Sequence, residues 1–395
     1  MFIRPRHWSP IRALFAVQII FSVIFCFASL FLNVYLWDKG QSFRGIGIYN
    51  VFSVVSIFVG SILGAYFLQW IGSRATFIGS SISALLLFSY LFLSNQATDY
   101  DTLPLLGILY GSYVGLFYIG FNLHLLWLTE KRNRSYLLGV ESAIATAAQL
   151  LTPVCAGIMI ANQGYVHTFL LVLVLLCIQL LLSFSIPGMQ MDGGFQKRYF
   201  FLAKSDKVAR MGFSSLAYGF YFSFIQMSFG LFFYFIVKDE FQLGSWNLLF
   251  GAISAIMYWL TGRFLSLSNR DIFLSMGMLG TLIITLSLLL AESSWFILFN
   301  IVIAVSFPLL WLPAKSTHFS DLITEAERDP IRNKIGQLMQ FLVFREFSIS
   351  VGRLCFFLLL VVGFDFGLGY TYYFMVLLAC VMPIGIWILN REILQ

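Results

Sequence analysis

Three charged side chains interrupt one long apolar run: Arg345, Glu346 and Arg353, within the stretch FREFSISVGR at residues 344–353. A carboxylate beside two guanidinium groups can take up and release a proton, pair internally, or hold the charged part of a small molecule. Glu346 and Arg353 are seven residues apart, a spacing that returns to nearly the same helix face two turns on. Arg345 projects about 100° from that face. A charge at the bilayer centre costs roughly 2.5–3.5 kcal/mol, so such residues face a cavity or a partner. Two readings stand. Glu346 binds a proton or ligand, with Arg353 as ion-pair or ligand contact and Arg345 beside them. Alternatively, the three form a static charge network tying their helix to its neighbours. Glu141 is a fourth candidate for the same chemistry, with a loop ion pair to Lys131 or Arg132 as its alternative.

The elements that must position these groups are membrane spans. Hydrophobic residues make up 59% of the 395 residues and charged residues 11%, with 44 Phe. A soluble domain carries about 25% charged residues. No soluble core hides this much apolar side chain, and about 20 apolar residues cross a bilayer as a helix. Twelve such runs are read at 12–37, 46–70, 76–94, 104–128, 136–160, 166–186, 212–237, 247–264, 271–291, 295–314, 337–362 and 369–390. They are too long and too uniformly apolar for barrel strands. The N-terminal MFIRPRHWSPIR lacks a small-residue cleavage site, so the first run is read as a retained helix. Glu346 falls about 18 Å of helix beyond Lys334, near mid-bilayer. The five cysteines all sit in apolar runs without CxxC spacing and read as small hydrophobes.

Lysine and arginine placement sets the orientation. Of the 24 Lys and Arg, Lys39, Arg44 and Lys238 fall on the far side and Arg345 and Arg353 within a span; the rest fall on the side of the termini. Both termini are therefore expected in the cytoplasm. The net charge of +6 reflects this topology rather than nucleic-acid binding. A basic, aromatic connection, FQKRYFFLAKSDKVAR, is expected to lie along the membrane surface. It divides the chain into an N-terminal six-helix bundle at 1–187, a cytoplasmic central loop at 188–211 and a C-terminal six-helix bundle at 212–395. LLWL closes the fourth span at 125–128 and the tenth at 309–312, each copy followed by a charged loop and a glutamate-bearing helix. Parallel repeats of this kind build two bundles around a central site.

With these features the chain resembles the major facilitator superfamily of transporters. That family's loop between helices two and three follows G-x-L-A-D-R-x-G-R-K. Here GAYFLQWIGSR supplies Gly72 and Arg74, with Gln69 in place of the acid, and the second half repeats the site with Gly262 and Arg270. Exporters of the superfamily carry G-x8-G-x3-G-P-x2-G-G in helix five, and this chain gives Gly139, Ala148, Thr152, Pro153, Ala156 and Gly157. Small residues there allow close helix contact, and ordinary helix packing remains the alternative. The arginine that drug–proton antiporters place in helix four is missing around GSYVG at 111–115.

The resemblance implies an all-α membrane protein of twelve transmembrane helices in two six-helix bundles related by a pseudo-twofold. It implies that helices one, four, seven and ten line a cavity. Polar residues in those helices are Gln18, Asn33, Tyr110, Tyr113, Tyr118, Asn122, Gln226 and Asn300, each a cavity contact or a helix–helix hydrogen bond; His124 is the one intramembrane histidine candidate. The implied function is secondary transport of a small, amphipathic organic molecule by alternating access in the bacterial cytoplasmic membrane. Export is slightly favoured and proton coupling stays open. The rival readings are a nutrient importer for a sugar or peptide, a lipid flippase, and a receptor-like non-transporter. A monomer without metal or cofactor is expected. P-loop, HExxH and GxSxG patterns are absent, so the reading is not of an enzyme.

Overall fold

The computed structural model describes residues 8–40, 42–94, 100–128, 134–186, 188, 206–265, 268–290, 293–327, 334–363 and 368–391. The central connection at 189–205 lies outside them, as do the side chains of Glu141, Lys131 and Arg132 and the surroundings of Gly139.

Helix α1 starts as Trp8–Phe27, passes through a π-helical turn at Ala28–Leu32 and continues as Asn33–Gly40. Helix α2 is Phe43–Trp70, begun by Ser42, whose hydroxyl accepts from the Gly45 N–H at 3.2 Å. Helices α3 and α4 are Arg74–Leu93 and Leu103–Leu128. The next helical stretch, Arg134–Ser183, breaks at Gly164, with φ 77° and ψ 175°. That conformation belongs almost wholly to glycine. It splits the stretch into α5, 134–163, and α6, 165–183. Helix α7 mirrors α1: Asp206–Met227, a π-helical turn at Ser228–Phe232, then Phe233–Val237. Helices α8 to α12 are Glu240–Phe264, Arg270–Ser287, Ser293–Glu327, Lys334–Gly363 and Leu368–Arg391.

Eleven continuous helices among the described residues are long and apolar enough to cross a membrane, and the break at Gly164 makes them twelve segments. Their outward faces are oily. On α9, Ile272, Met276, Leu279 and Ile283 form an exposed stripe at helical spacing, while Leu274, Gly277, Thr281 and Ile284 are buried. This reverses the pattern of a helix in water. The chain is a multi-pass membrane protein. Many of its buried hydroxyls bond within their own helix: Ser53, Ser61, Ser81, Thr281 and Thr285 each donate to the carbonyl four residues earlier.

The same helix pairs pack in each half. In the first half α2 lies on α4, α1 on α6 and α3 on α6; in the second, α8 on α10, α7 on α12 and α9 on α12. This is the pseudo-twofold. The halves meet through α2 against α11 and α5 against α8, and the pseudo-twofold exchanges these two crossings. The Asn390 amide of α12 donates to Ser214 of α7 at 2.8 Å, so the end of α12 and the start of α7 share one face, the terminal face.

Several boundaries differ from the sequence expectation; helix α8, for one, begins at Glu240 rather than at 247. Helix α7 begins at Asp206, so 206–211 is helix rather than connection. Helix α10 runs to Glu327, thirteen residues past the expected end, and carries Pro308 and Pro313 inside it. Membrane proteins tolerate helix prolines where hydroxyls re-satisfy freed backbone groups: Pro308 leaves the Ala304 carbonyl without its N–H partner, and Ser254 of α8 donates to that carbonyl at 3.2 Å. The polar run between α5 and α6 forms no loop, because one glycine makes the break.

Candidate functional site

A cavity of about 40 Å³ lies between the halves. It has room for ordered water, which needs roughly 10–15 Å³ per molecule, but not for an organic ligand. The N-terminal half contributes Ser29 and Asn33 from α1, Asn50 and Ser53 from α2, and Tyr110 from α4. The C-terminal half contributes Phe222, Ser223 and Gln226 from α7, and Arg353 and Phe357 from α11. Asn50 fixes the polar wall: its Nδ2 donates to Asn33 Oδ1 and to the Ile46 carbonyl, both at 2.8 Å. Arg353 enters from the opposite wall. Its guanidinium carbon stands 5.6 Å from the centre of the Phe222 ring, and its buried Nε has no hydrogen-bond partner. Tyr110, across the interface, lies within electrostatic reach of Arg353.

The cavity is shut off at the face opposite the termini. Trp37 of α1 packs on Phe235 of α7 with ring centres 4.7 Å apart, and Phe43 of α2 meets the same ring at 5.6 Å. Tyr234 donates to Asp38 Oδ1 at 3.3 Å. The π turns of α1 and α7 also touch, with Gly230 against Leu30. Toward the terminal face, Leu68 of α2 and Leu123 of α4 share a buried cluster with Met339, Leu342 and Val343 of α11.

Asn33, Tyr110, Gln226 and Arg353 therefore line one cavity. Glu346 and Arg345 are half-buried, about two turns nearer the terminal face, and outside its wall. Tyr218 of α7 lies within electrostatic reach of Arg345, Glu346 and Arg353, and stacks on Trp311 with ring centres 3.6 Å apart. The remaining polar candidates sit elsewhere. Gln18 donates to Ser22 at 3.2 Å within α1. Tyr113 donates to the Phe21 carbonyl and to Gln179 Oε1, at 3.5 and 3.4 Å, inside the N-terminal half. Tyr118 meets the Phe21 ring edge-on at 5.2 Å. Asn122 is half-buried and Asn300 fully buried, and neither lines the cavity. His124 is fully buried, edge-on to Phe77 at 5.8 Å. The cavity residues of α2, Asn50 and Ser53, were not expected; Tyr49, Asn50 and Ser53, clustered within one turn of an apolar helix, are the signal that marks them.

The motif residues have these surroundings, apart from Gly139, whose surroundings lie outside the described residues. Gly72 takes φ 107° and donates to the Phe67 carbonyl at 2.7 Å, closing the turn into α3. Arg74 Nε donates to the Ile186 carbonyl at 3.0 Å, tying α3 to the end of α6. Arg270 is buried and donates to Ser316 Oγ at 3.3 Å. Gly262 lies exposed within α8, and a Cβ there would make only ordinary contact with Leu312, so it marks no tight approach. Gly157 and Pro153 build the α5–α8 crossing. A Cβ on Gly157 would come within 2.7 Å of the Glu240 carbonyl oxygen, and Gly244 of α8 faces the Pro153 carbonyl.

This twelve-helix, two-bundle arrangement is the fold of known membrane transporters. The structure is similar to a crystal structure of a POT family transporter in complex with 5-aminolevulinic acid, with TM-score 0.71 and 13% identity over 97% of this chain and 96% of that one. It is similar to a second, of a POT family transporter in complex with a thioalcohol conjugated peptide, at TM-score 0.69 and 14% identity over the same shares of each chain, 97% and 96%. In sequence, the chain is 26% identical to the uncharacterized protein YqgE of Bacillus subtilis (strain 168), over 86% of this chain and 80% of that protein. It is also 27% identical to an uncharacterized protein from the sodM 3' region of Geobacillus stearothermophilus, over 37% of this chain and 69% of that protein. No protein-family profile matches the chain.

Proposed function

We propose that the protein is a secondary transporter that carries a small, amphipathic organic molecule through the cavity between its halves. The observation that carries this reading is the cavity itself. It sits on the pseudo-twofold interface, takes polar side chains from both halves, and holds Arg353. Alternating access then follows from rocking one bundle against the other about a fixed site. The same fold holds 5-aminolevulinic acid in one structural neighbour and a conjugated peptide in the other, which supports a small-molecule cargo here. The division at 1–187 and 212–395 into two moving units belongs to the proposal. So do the cytoplasmic termini, the bacterial cytoplasmic membrane, and a coupling role for Glu346 with Arg345 and Glu141 near the terminal face. The α5–α8 crossing built by Gly157 serves uptake as well as efflux, so the direction is read from flux rather than from the helix-five motif.

The test is uptake and counterflow in proteoliposomes carrying the purified chain, across a panel of small organic acids, amines and peptides, with and without an imposed proton gradient. Saturable counterflow of at least one class, absent from empty vesicles, is the expected result. Leakage at the rate of empty vesicles across the whole panel would overturn the proposal.

A further inference from the structure

The geometry points to an organic monoanion with an apolar body as the molecule this cavity takes. Among the residues that line the cavity, Arg353 is the one charged side chain, and no carboxylate accompanies it. Its guanidinium carbon stands 5.6 Å from the centre of the Phe222 ring, and a guanidinium held over a ring keeps its in-plane N–H groups for hydrogen bonding. The buried Nε has no partner. The amides nearest in kind are partly committed: Asn50 Nδ2 donates to Asn33 and to the Ile46 carbonyl. Glu346, the acid on the same helix face, lies outside the cavity wall. A cation in this setting is compensated by an acceptor that carries charge, and a carboxylate matches the guanidinium fork with two parallel hydrogen bonds. One cation sets a single negative charge. Beside the uncharged serine and amide groups, the wall carries five aromatic rings, Phe25, Tyr49, Tyr110, Phe222 and Phe357. Such walls suit an apolar body and disfavour a bare inorganic ion. In the closed arrangement the cavity of about 40 Å³ holds no such molecule, so the anion enters when the bundles part.

This names the cargo of the carrier proposed above. It rests on that reading for passage across the membrane but not for binding. The experiment uses the full chain in detergent and three probes that share one body: phenylacetate, phenylacetamide and benzylammonium, with inorganic phosphate as a fourth. Melting temperature and titrated affinity are measured for wild type, Arg353→Gln and Arg353→Lys. Phenylacetate is expected to raise the melting temperature and to bind about tenfold or more tighter than the amide, the ammonium or phosphate. Arg353→Gln reduces it to the level of the amide, and Arg353→Lys falls between. Equal binding of amide or ammonium, equal binding of phosphate, absence of stabilisation by phenylacetate up to its solubility limit, or unchanged affinity in Arg353→Gln each overturns the inference. The comparison of probes on wild type stands even where a variant fails to fold. Flux of the same probes in proteoliposomes separates the two readings. Carriage of benzylammonium without phenylacetate keeps the carrier and removes the anion, whereas binding of phenylacetate at Arg353 without any flux keeps the anion site and removes the carrier.

Discussion

Arg353 and Glu346 occupy one face of α11 yet meet different surroundings. Arg353 reaches the cavity near Phe222, whereas Glu346 stands two turns away within electrostatic reach of Tyr218, outside the cavity wall. About 10 Å of helix separates them, so neither is the other's contact in this arrangement. A coupling role for Glu346 therefore acts through movement of the bundles rather than through a standing ion pair. Glu346→Gln is expected to insert and fold as wild type while transport loses its dependence on pH; a retained pH profile in vesicle flux would remove that role. The Asn50–Asn33 bond invites a second substitution. Asn50→Leu leaves Asn33 Oδ1 facing the cavity without its donor. Hydrogen bonds between membrane helices average about 0.6 kcal/mol and reach about 1.7. The variant should melt only a few degrees lower but carry cargo poorly, and a large loss of stability with normal flux would contradict a role at the site. Four members of the cavity wall were legible from sequence, because Asn33, Tyr110, Gln226 and Arg353 are conspicuous in apolar helices. Asn50 and Ser53 were not, because α2 was not expected to line the cavity. Tyr113, Gln18 and Asn300 are as conspicuous in sequence but turn into the packed halves, and residue type alone does not tell a core hydrogen bond from a ligand contact.

Helices α1 and α7 carry π turns at matching depths, Ala28–Leu32 and Ser228–Phe232, and these turns touch across the interface. A π turn shifts the register of the helix and leaves local hydrogen bonds weaker, which suits a segment that bends as a gate opens. Neither turn leaves a mark in composition, since both are apolar stretches like their flanks. The helices themselves were legible because lipid demands long apolar runs, and every run became a helix. The misjudged ends lie where a helix leaves the oil. Asp206–Met211 and Lys315–Glu327 are polar enough to read as loop, but are carried on as helix by their apolar neighbours. At the α5–α8 crossing the small residues matter through space rather than flexibility. Gly157→Val would drive side-chain atoms into the Glu240 carbonyl, and Gly244→Val would do the same at Pro153. Each should reduce flux by about tenfold or more, with a melting temperature lowered by overpacking worth about 1–3 kcal/mol. Gly157→Ala should fall between. Wild-type flux in both valine variants would mean that the crossing does not need its close approach.

At the scale of the whole molecule, the two halves are joined by the symmetry-related α2–α11 and α5–α8 crossings and locked at the face opposite the termini by a small aromatic contact. Crossings that run along the helices can serve as axles, because small residues and apolar side chains slide with little penalty. The aromatic contact is different. Trp37, Phe43 and Phe235, with the Asp38–Tyr234 hydrogen bond, join α1 and α2 to α7 where the cavity would otherwise open. A carrier must break this contact once in each cycle, whereas a static membrane protein never needs to. Cysteines introduced as Trp37→Cys and Phe235→Cys, in a chain whose five native cysteines are replaced, can be bridged with a short bifunctional thiol reagent or oxidised to a disulfide. Flux should vanish when the pair is bridged and return when the disulfide is reduced, while probe binding in detergent falls because the cavity can no longer admit its ligand from that side. A bridged protein that transports at the rate of its reduced form would show that these ends never part, and the rocking of the two halves would have to be abandoned with it.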